Sequence, residues 1–181
     1  MASEHEQSFG LGVGHKSVRL AEPNQSWHEA YLLEEAAIRG ALGELAVDVQ
    51  HFGSTSIPEI KAKPIIDIAV GVRHFDDGLA CIEPMASIGY VYAGSNIVPD
   101  DHIFGRDIAG DTRTHLVHVV EYGGPTWCNF LKFRDRMRRE PELAHAYEAL
   151  KVELAAKYAN DRAAYTAAKK DFIQKILSEG E

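Results

Sequence analysis

Apolar residues recur along this chain with two different periods, and the change of period divides the sequence into helices and strands. Over residues 26–45 they return every three to four positions, which predicts an amphipathic helix. The helical period returns after Pro125 and predicts three further helices, ending near residue 178. Between these segments, alternating or continuous apolar runs predict strands at 47–52, 64–72, 90–93, 103–108 and 112–122.

The order of these elements indicates the fold class. The run 64–72 is apolar at nearly every position, which is typical of a central strand covered on both faces. One helix, a sheet within about 47–122 and a helical C-terminal third at about 125–178 together predict an α+β domain. A chain of 181 residues favours a single domain, which we expect to cover residues 17–181. Residues 1–16 are expected to form a flexible N-terminal tail.

Charge and composition exclude several classes of protein. The chain has 27 acidic and 19 basic residues and a formal net charge of −8 at pH 7. This balance argues against general nucleic-acid binding, because that affinity depends on Lys and Arg contacts to phosphates. No apolar run approaches the about 20 residues of a membrane span, and the N-terminus has no signal-peptide core. Two cysteines, Cys81 and Cys128, define no disulfide framework. We therefore expect a cytoplasmic protein that does not enter membranes.

The first candidate site follows directly after a predicted strand, at Gly53, Ser54, Thr55 and Ser56. Ser56 with Glu59 fits a capping box, which predicts a short helix at this point. The free amides at the start of a helix, together with three hydroxyls, would bind an anion such as phosphate. Gly53 would let that anion approach the backbone closely. An ordinary helix cap rich in Ser and Thr explains the same residues without a ligand.

Asp67 stands alone as a charged residue in the apolar run 64–72. A carboxylate isolated in a buried strand is costly unless a cation or a set of donors compensates it. Mg²⁺ takes carboxylate oxygens together with substrate phosphates. Asp67 is therefore a candidate catalytic residue and metal ligand, with Glu121 at the end of the last strand as its second carboxylate. The alternative is an Asp at the sheet edge, bonded to backbone amides.

His118 is the third candidate catalytic residue. The period of two along the strand 112–122 puts it on the opposite face from His115 and Glu121. The two histidines therefore cannot both bind one ion, and a simple zinc motif is excluded. His118 would hydrogen-bond a phosphate or orient a carboxylate. A core histidine with satisfied hydrogen bonds is the alternative.

Several basic residues are candidates for binding an anionic substrate. Lys63, just before the strand of Asp67, and Arg113, at the start of the last strand, are the best placed. Either Lys132 or Arg134 would reach the site from a basic helical segment, although a solvated salt-bridge surface is the default for such a segment. Lys169 follows a tyrosine by one helical turn, and packing is the expected role of both.

Several spaced motifs resemble the GrpB family. They are the sequences HFGSTSIP at 51–58, AKPIIDI at 62–68 and RTHLVH at 113–118, followed by shorter matches at 133–135, 147–151 and 165–169. The resemblance extends from about residue 18 to residue 177. Because the family is placed in the nucleotidyltransferase-like superfamily, it implies a nucleotidyltransferase-like mixed β-sheet. Some members of the family are fused to dephospho-coenzyme A kinase.

The resemblance also implies roles for individual residues. The glycine-serine motif of the superfamily falls on Gly53 and Ser54, which would hold nucleotide phosphates. Its first metal carboxylate falls on Asp67, and the third would be Glu121. The second falls on Ala69, which has no carboxylate. A Mg²⁺ cofactor is therefore implied, but two-ion phosphoryl chemistry needs bridging carboxylates, and Ala69 weakens that expectation.

These features favour a Mg²⁺-dependent, nucleotidyltransferase-like enzyme that uses ATP or another NTP on an unknown small-molecule acceptor. The reaction would be direct transfer or an adenylate-forming ligation. Lys63, Arg113 or His118 would stabilise the charge on the transferring phosphoryl group. Two alternatives stay open: a non-catalytic protein that binds nucleotides or coenzyme A precursors, which Ala69 favours, and a phosphohydrolase.

Overall fold

The structure, a computed structural model, describes residues 8–179. Its strands are β1 (Val13–Gly14), β2 (Asp48–Phe52), β3 (Ile66–Val72), β4 (Val91–Gly94), β5 (His102–Ile108) and β6 (Thr112–Glu121). Its α-helices are α1 (Ser26–Leu42), α2 (Asp77–Ala80), α3 (Ile82–Ser87), α4 (Pro125–Arg139), α5 (Pro141–Lys157), α6 (Arg162–Ala168) and α7 (Lys170–Ser178). Single 3₁₀ turns occur at Gly43–Leu45 and Ser54–Ser56.

The six strands form one mixed sheet in the order β2-β3-β6-β5-β4, with β1 beside β6. β3 and β6 are parallel, and the other neighbouring pairs are antiparallel. A parallel pair needs a crossover connection, which here contains α2, α3, β4 and β5. The predicted α+β class with a mixed sheet and a helical C-terminal third is therefore confirmed.

The two faces of the sheet pack against different helices. Ile66, Ile68 and Val70 of β3 point to one face, where α1 and α3 cover them in the largest apolar cluster. Ala69 points to the other face and packs against Trp127 of α4. Because both faces are covered, β3 is apolar at almost every position, as the sequence pattern predicts.

The N-terminal boundary of the domain lies earlier than residue 17. Val13 pairs with Arg113 at the start of β6, and Gly12 donates its amide to the carbonyl of Pro64. Leu11 and Val13 are buried. The prediction of a flexible tail up to residue 16 is therefore wrong for Leu11 to Val13. The start of β6 has backbone groups that need hydrogen-bond partners, and this segment supplies them. Residues 1–7 lie outside the described part of the chain.

The C-terminal third contains four helices where three were expected, because the last helix breaks at Lys169 between α6 and α7. Within residues 8–179, no helix combines the length and the apolar character that a membrane crossing requires.

A buried ion pair joins α1 to the sheet. The guanidinium of Arg106 donates to both carboxylate oxygens of Glu34, at 2.9 and 2.6 Å. The hydroxyl of Tyr90 donates to the same carboxylate at 2.9 Å. The side chain of Glu34 is 8% exposed and that of Arg106 is 14% exposed, so removal of one partner would leave a charge inside the protein.

We predict that Arg106→Met lowers the free energy of unfolding by about 3–5 kcal/mol, because it leaves the Glu34 carboxylate buried without its cation. The matched control is Arg39→Met, which removes ion pairs with Glu35 and Asp48 from an arginine side chain that is 41% exposed. That change should cost no more than about 1 kcal/mol. Urea unfolding measures both. Equal losses in the two variants would contradict the importance of the buried pair.

Candidate functional site

Asp67 occupies the second position of β3, between two neighbouring strands. It pairs with Phe52 of β2 and with Leu116 of β6. Its side chain points to the face of the sheet that α4 covers. Ala69 and His118 lie on the same face and pair with each other, two residues further along β3 and β6. The strand register thus places Asp67 and His118 beside one cavity.

Position 53 needs a glycine for two reasons: its own backbone conformation and the close approach of the Asp67 carboxylate. Its φ of 72° and ψ of −177° lie in a region that glycine alone adopts readily. A Cβ at this position would lie 2.8 Å from the Cβ of Asp67 and would overlap its carboxylate. The sequence predicts that Gly53 lets a phosphate approach the backbone. In the structure, the anion beside Gly53 is instead the carboxylate of Asp67.

The segment after Gly53 is a single 3₁₀ turn, Ser54–Ser56, and the short helix predicted after Ser56 does not form. Thr55 donates its hydroxyl to the carbonyl of Ile65, and Ser56 donates its hydroxyl to the carbonyl of Gly53. These two hydroxyls therefore serve the turn and are buried. Ser54 lines the cavity, so one of the three expected hydroxyl ligands stays in place.

The cavity beside Asp67 has a volume of about 430 Å³ and lies between the sheet and the C-terminal helices. Its sheet side comprises Gly53, Ser54, Lys63, Asp67 and His118, all of them predicted site residues. Its polar helical side adds residues from α5, α6 and the junction of α6 with α7, namely Tyr147, Arg162, Tyr165, Thr166 and Lys169.

Three cations line the cavity together with Asp67, and their charges favour the ionised form of its carboxyl group. Lys63 and Lys169 place their Nζ atoms 5.2 and 4.5 Å from the ring centre of Tyr165, and Arg162 lines the same cavity. Burial, and then the neighbouring cations, lower the pKa of Lys63 to about 7. Burial also lowers the pKa of Lys169 to about 8, although Asp67 opposes that shift.

Burial and the neighbouring charges shift the pKa of Asp67 in opposite directions. Withdrawal from water raises the pKa of its carboxyl group, while His118 and the three cations act to lower it. Burial raises the pKa of Tyr147 to about 12, so its hydroxyl stays protonated at neutral pH. The cavity therefore contains more groups that favour a negative ligand than groups that repel one.

Aromatic and aliphatic side chains form another part of the cavity lining. The rings of Phe52 and Phe130 stack with centres 4.2 Å apart, and Phe133, Ile173 and Leu177 continue the apolar lining. The cavity thus combines cationic side chains with an aromatic and aliphatic surface.

The donor set does not fit the pair of magnesium ions that the family resemblance implies. Among the described residues that line the cavity, Asp67 supplies the one carboxylate, and Ala69 offers a methyl group at the next position of the same face. Residues 8–179 contain no group of three His, Cys, Asp or Glu side chains that could hold a metal ion. Lys63, Lys169 and Arg162 instead supply positive charge around Asp67.

Glu121 is not brought to Asp67. It pairs with Val72, on the opposite face of the sheet, and its carboxylate accepts the amide of Phe75 at 3.3 Å. Val72 is five positions beyond Asp67, about 16 Å at about 3.3 Å per residue. The expected metal site shared by Asp67 and Glu121 is therefore not formed.

Three of the predicted basic ligands are used elsewhere. Arg113 forms an ion pair with Asp107. Lys132 donates to the carbonyl of Leu177 at 2.7 Å and so joins α4 to α7. Arg134 is buried, and its Nη1 donates to the carbonyl of His51 at 3.0 Å and thereby fixes α4 on β2. Helix packing, and not a ligand, accounts for the last two.

Sequence reasoning missed the cations of the C-terminal helices. The sequence pattern predicts a packing role for Lys169 and no role for Arg162. The signal was the spacing of Tyr165 and Lys169 by four residues, which puts a ring and an ammonium group on one side of the chain. No pattern in the sequence indicates that this side faces Asp67, about a hundred positions away along the chain.

Comparisons with known proteins agree with this architecture. The family model described as GrpB protein matches residues 17–179. The glutamate-rich protein GrpB of Alkalihalophilus pseudofirmus is 38% identical over 172 residues, which cover 93% of this chain and 99% of that protein. The crystal structure of the conserved protein GrpB from Enterococcus faecalis has a TM-score of 0.80 at 31% identity, covering 89% of this chain and 96% of that chain.

A more distant likeness concerns the fold alone. The structure of Cid1 in complex with its short product ApU has a TM-score of 0.52 at 12% identity. The match covers 81% of this chain and 48% of the Cid1 chain. This similarity agrees with the predicted mixed β-sheet with flanking helices.

We predict that Gly53→Ala destabilises the protein by about 3 kcal/mol, because it combines backbone strain with an overlap on Asp67. Gly110→Ala is the control, since Gly110 also has a positive φ, of 86°, but meets no atom within 4 Å. Gly110→Ala should cost about 1 kcal/mol. Urea unfolding compares the two variants, and similar costs would show that the approach of Asp67 is unimportant.

Proposed function

The chain belongs to the GrpB family, and we propose that it binds a nucleoside triphosphate, such as ATP, in the Asp67 cavity and transfers a nucleotidyl group to a small-molecule acceptor. The observation that carries this proposal is the convergence of Lys63, Arg162 and Lys169 on one cavity with a single carboxylate. The fold likeness to Cid1 supports it at the level of the scaffold, which by itself assigns no chemistry.

The charge of the cavity favours a ligand with several negative charges. Three cations face one carboxylate, in a chain whose formal net charge is −8. Cations that have lost water gain more from an anion than exposed cations do, because the effective dielectric constant around them is lower. Arg162 would bind phosphate oxygens through its planar fork, and the two lysines would act as point charges.

The shape of the cavity favours a nucleotide over free phosphate. Ligand sites of about 300–1,000 Å³ take small organic molecules, and this cavity has a volume of about 430 Å³. The three cations suit the phosphates, and the stacked rings of Phe52 and Phe130 suit a planar base. Ser54 would donate its hydroxyl to a phosphate oxygen.

In the proposed reaction, an acceptor oxygen forms a bond to the α-phosphorus of the nucleotide. The bond from that phosphorus to the bridging oxygen of the β-phosphate breaks, and pyrophosphate leaves with the electron pair. Lys63, Lys169 and Arg162 would stabilise the charge that develops on the leaving pyrophosphate. An acceptor carboxylate would give an adenylate, the activated form used in ligation.

A second candidate is a non-catalytic protein that binds nucleotides or coenzyme A precursors in the same cavity. Ala69 favours it, because the position offers no second carboxylate for two-ion chemistry. The two candidates share the phosphate site and differ in turnover. Release of pyrophosphate from bound ATP in the presence of an acceptor distinguishes them.

We predict that Lys169→Met weakens ATP binding by about 10-fold or more, which corresponds to the loss of one charged hydrogen bond of about 1.5–3 kcal/mol. Lys170→Met is the matched control, because Lys170 is the exposed neighbour of Lys169. Calorimetric titration with ATP, with and without Mg²⁺, measures both. Equal affinities in the two variants would contradict the proposed phosphate site.

The variant Asp67→Asn distinguishes two roles for Asp67. In one, its carboxylate balances the charge of the cations; in the other, it binds a metal ion. We expect it to tighten ATP binding in the absence of Mg²⁺, because it removes the negative charge that faces the phosphates. If Asp67 instead binds the nucleotide through Mg²⁺, the same change weakens binding, and it does so when Mg²⁺ is present. The titrations described for Lys169→Met measure this variant as well.

The affinity for ATP should fall as the pH rises from ~7 to ~9. Lys63 and Lys169 have pKa values lowered to about 7 and about 8, so both lose charge over this interval in the free protein. Bound phosphates favour the charged amines and raise both pKa values, so binding takes up protons. Titrations in buffers of different ionisation enthalpy measure that uptake. An affinity that stays constant over the interval would contradict this assignment.

A further inference from the structure

A buried carboxylate holds one nitrogen of His118. Oδ2 of Asp101 lies 2.6 Å from Nδ1 of His118. A carboxylate oxygen can only accept a hydrogen bond, so Nδ1 carries the proton. When the ring is neutral, Nε2 is then left with a free lone pair. Asp101 lies just before β5 and has no evident role in the sequence pattern.

The bond to His118 compensates the buried negative charge of Asp101. Its side chain is 0% exposed, against 13% for His118. Its second oxygen, Oδ1, is buried and has no hydrogen-bond partner among the described residues. Because a buried carboxylate is costly when unpaired, the bond to His118 is a strong constraint on the position of the ring.

The ring of His118 also packs against two stacked aromatic rings. It meets the ring of Phe52 at 5.3 Å and 79°, and the ring of Phe130 at 5.4 Å and 71°. The strand register puts it on the same face as Asp67, two residues beyond the partner of Asp67 in β6. His118 lines the cavity, whereas Asp101 does not. The edge of the ring that is not bonded to Asp101 is thus the edge presented to a ligand.

We propose that His118 is the proton acceptor of this cavity and that Asp101 is the positioning residue that keeps its Nε2 free. The inference rests on the proposed function, because the proton would come from the hydroxyl of the acceptor substrate. That proton moves to Nε2 as the acceptor oxygen bonds to the α-phosphorus and pyrophosphate leaves. A base that is oriented by a second group and by packing is an arrangement that supports general base catalysis.

The charges around His118 suit this role. Burial acts to lower the pKa of its ring, but the bond to Asp101 and the charges of Asp101 and Asp67 outweigh it, so the pKa is raised above its ordinary value. The other titratable groups of the cavity stand on the loop before β3 and on the C-terminal helices: Lys63, Tyr147, Arg162, Tyr165 and Lys169. The base form therefore predominates only above the raised pKa, and proton transfer should increase as the pH rises through it.

The first test is nuclear magnetic resonance of ¹⁵N-labelled histidine side chains, which reports the tautomer directly. In the wild type, neutral His118 should carry its proton on Nδ1, with Nε2 bare. Asp101→Asn should lower the pKa of His118 and move the proton to Nε2, because the new amide donates to Nδ1. Asp100→Asn is the matched control, since Asp100 is the exposed neighbour, and it should change neither property. A wild-type ring with its proton on Nε2 would overturn the proposal.

The second test measures release of pyrophosphate from ATP, with water as the acceptor, alongside ATP binding. We expect Asp101→Asn to reduce the rate by about 10²–10⁴-fold, the usual range for loss of a general base, while ATP affinity stays unchanged. A rate equal to that of the wild type would also overturn the proposal. Failure of the wild type to bind ATP would instead remove the proposed function, and the tautomer measurement would still decide whether Asp101 leaves Nε2 free.

Discussion

The withdrawal of the Asp67 carboxylate from bulk water is the constraint on which the site depends. Its strand is covered on both faces, and Gly53 approaches so closely that no Cβ fits between them. A carboxylate in this position is stable only with opposite charge nearby. Lys63, Lys169 and Arg162 supply that charge, and they lose part of their own hydration in doing so. Each group therefore depends on the others, and an anionic ligand would change the balance among them.

The sheet and the C-terminal helices contribute different parts of the site. The parallel pairing of β3 with β6 aligns Asp67 with the strand that carries His118. The helices α5 to α7 add the cations and tyrosines that close the cavity. The fold is similar to that of Cid1, and Ala69, on the face of Asp67, offers no second carboxylate. One scaffold can thus carry a different set of charges, and the charges decide what it binds.

Much of the fold follows from local patterns, whereas the site follows from them only in part. The strands β2 to β6 and the helices α1 and α4 to α7 lie where apolar periodicity predicts them, because that pattern depends on which face is buried. Gly53, Ser54, Lys63, Asp67 and His118 do line one cavity. Glu121 is misplaced because carboxylates at the ends of neighbouring strands meet only if the register brings them together, and here Asp67 and Glu121 belong to opposite ends and faces.

The sequence by itself determined the covered central strand, its isolated Asp67 and the glycine that follows the neighbouring strand, because each is a matter of local composition and period. Only the tertiary structure decided which charges meet that carboxylate. Arg162 and Lys169 enter the cavity of Asp67 through the packing of distant helices, and Asp101 reaches His118 through the pairing of β5 with β6. Such contacts depend on register and on long-range packing, which a pattern of apolar and polar positions does not encode one residue at a time.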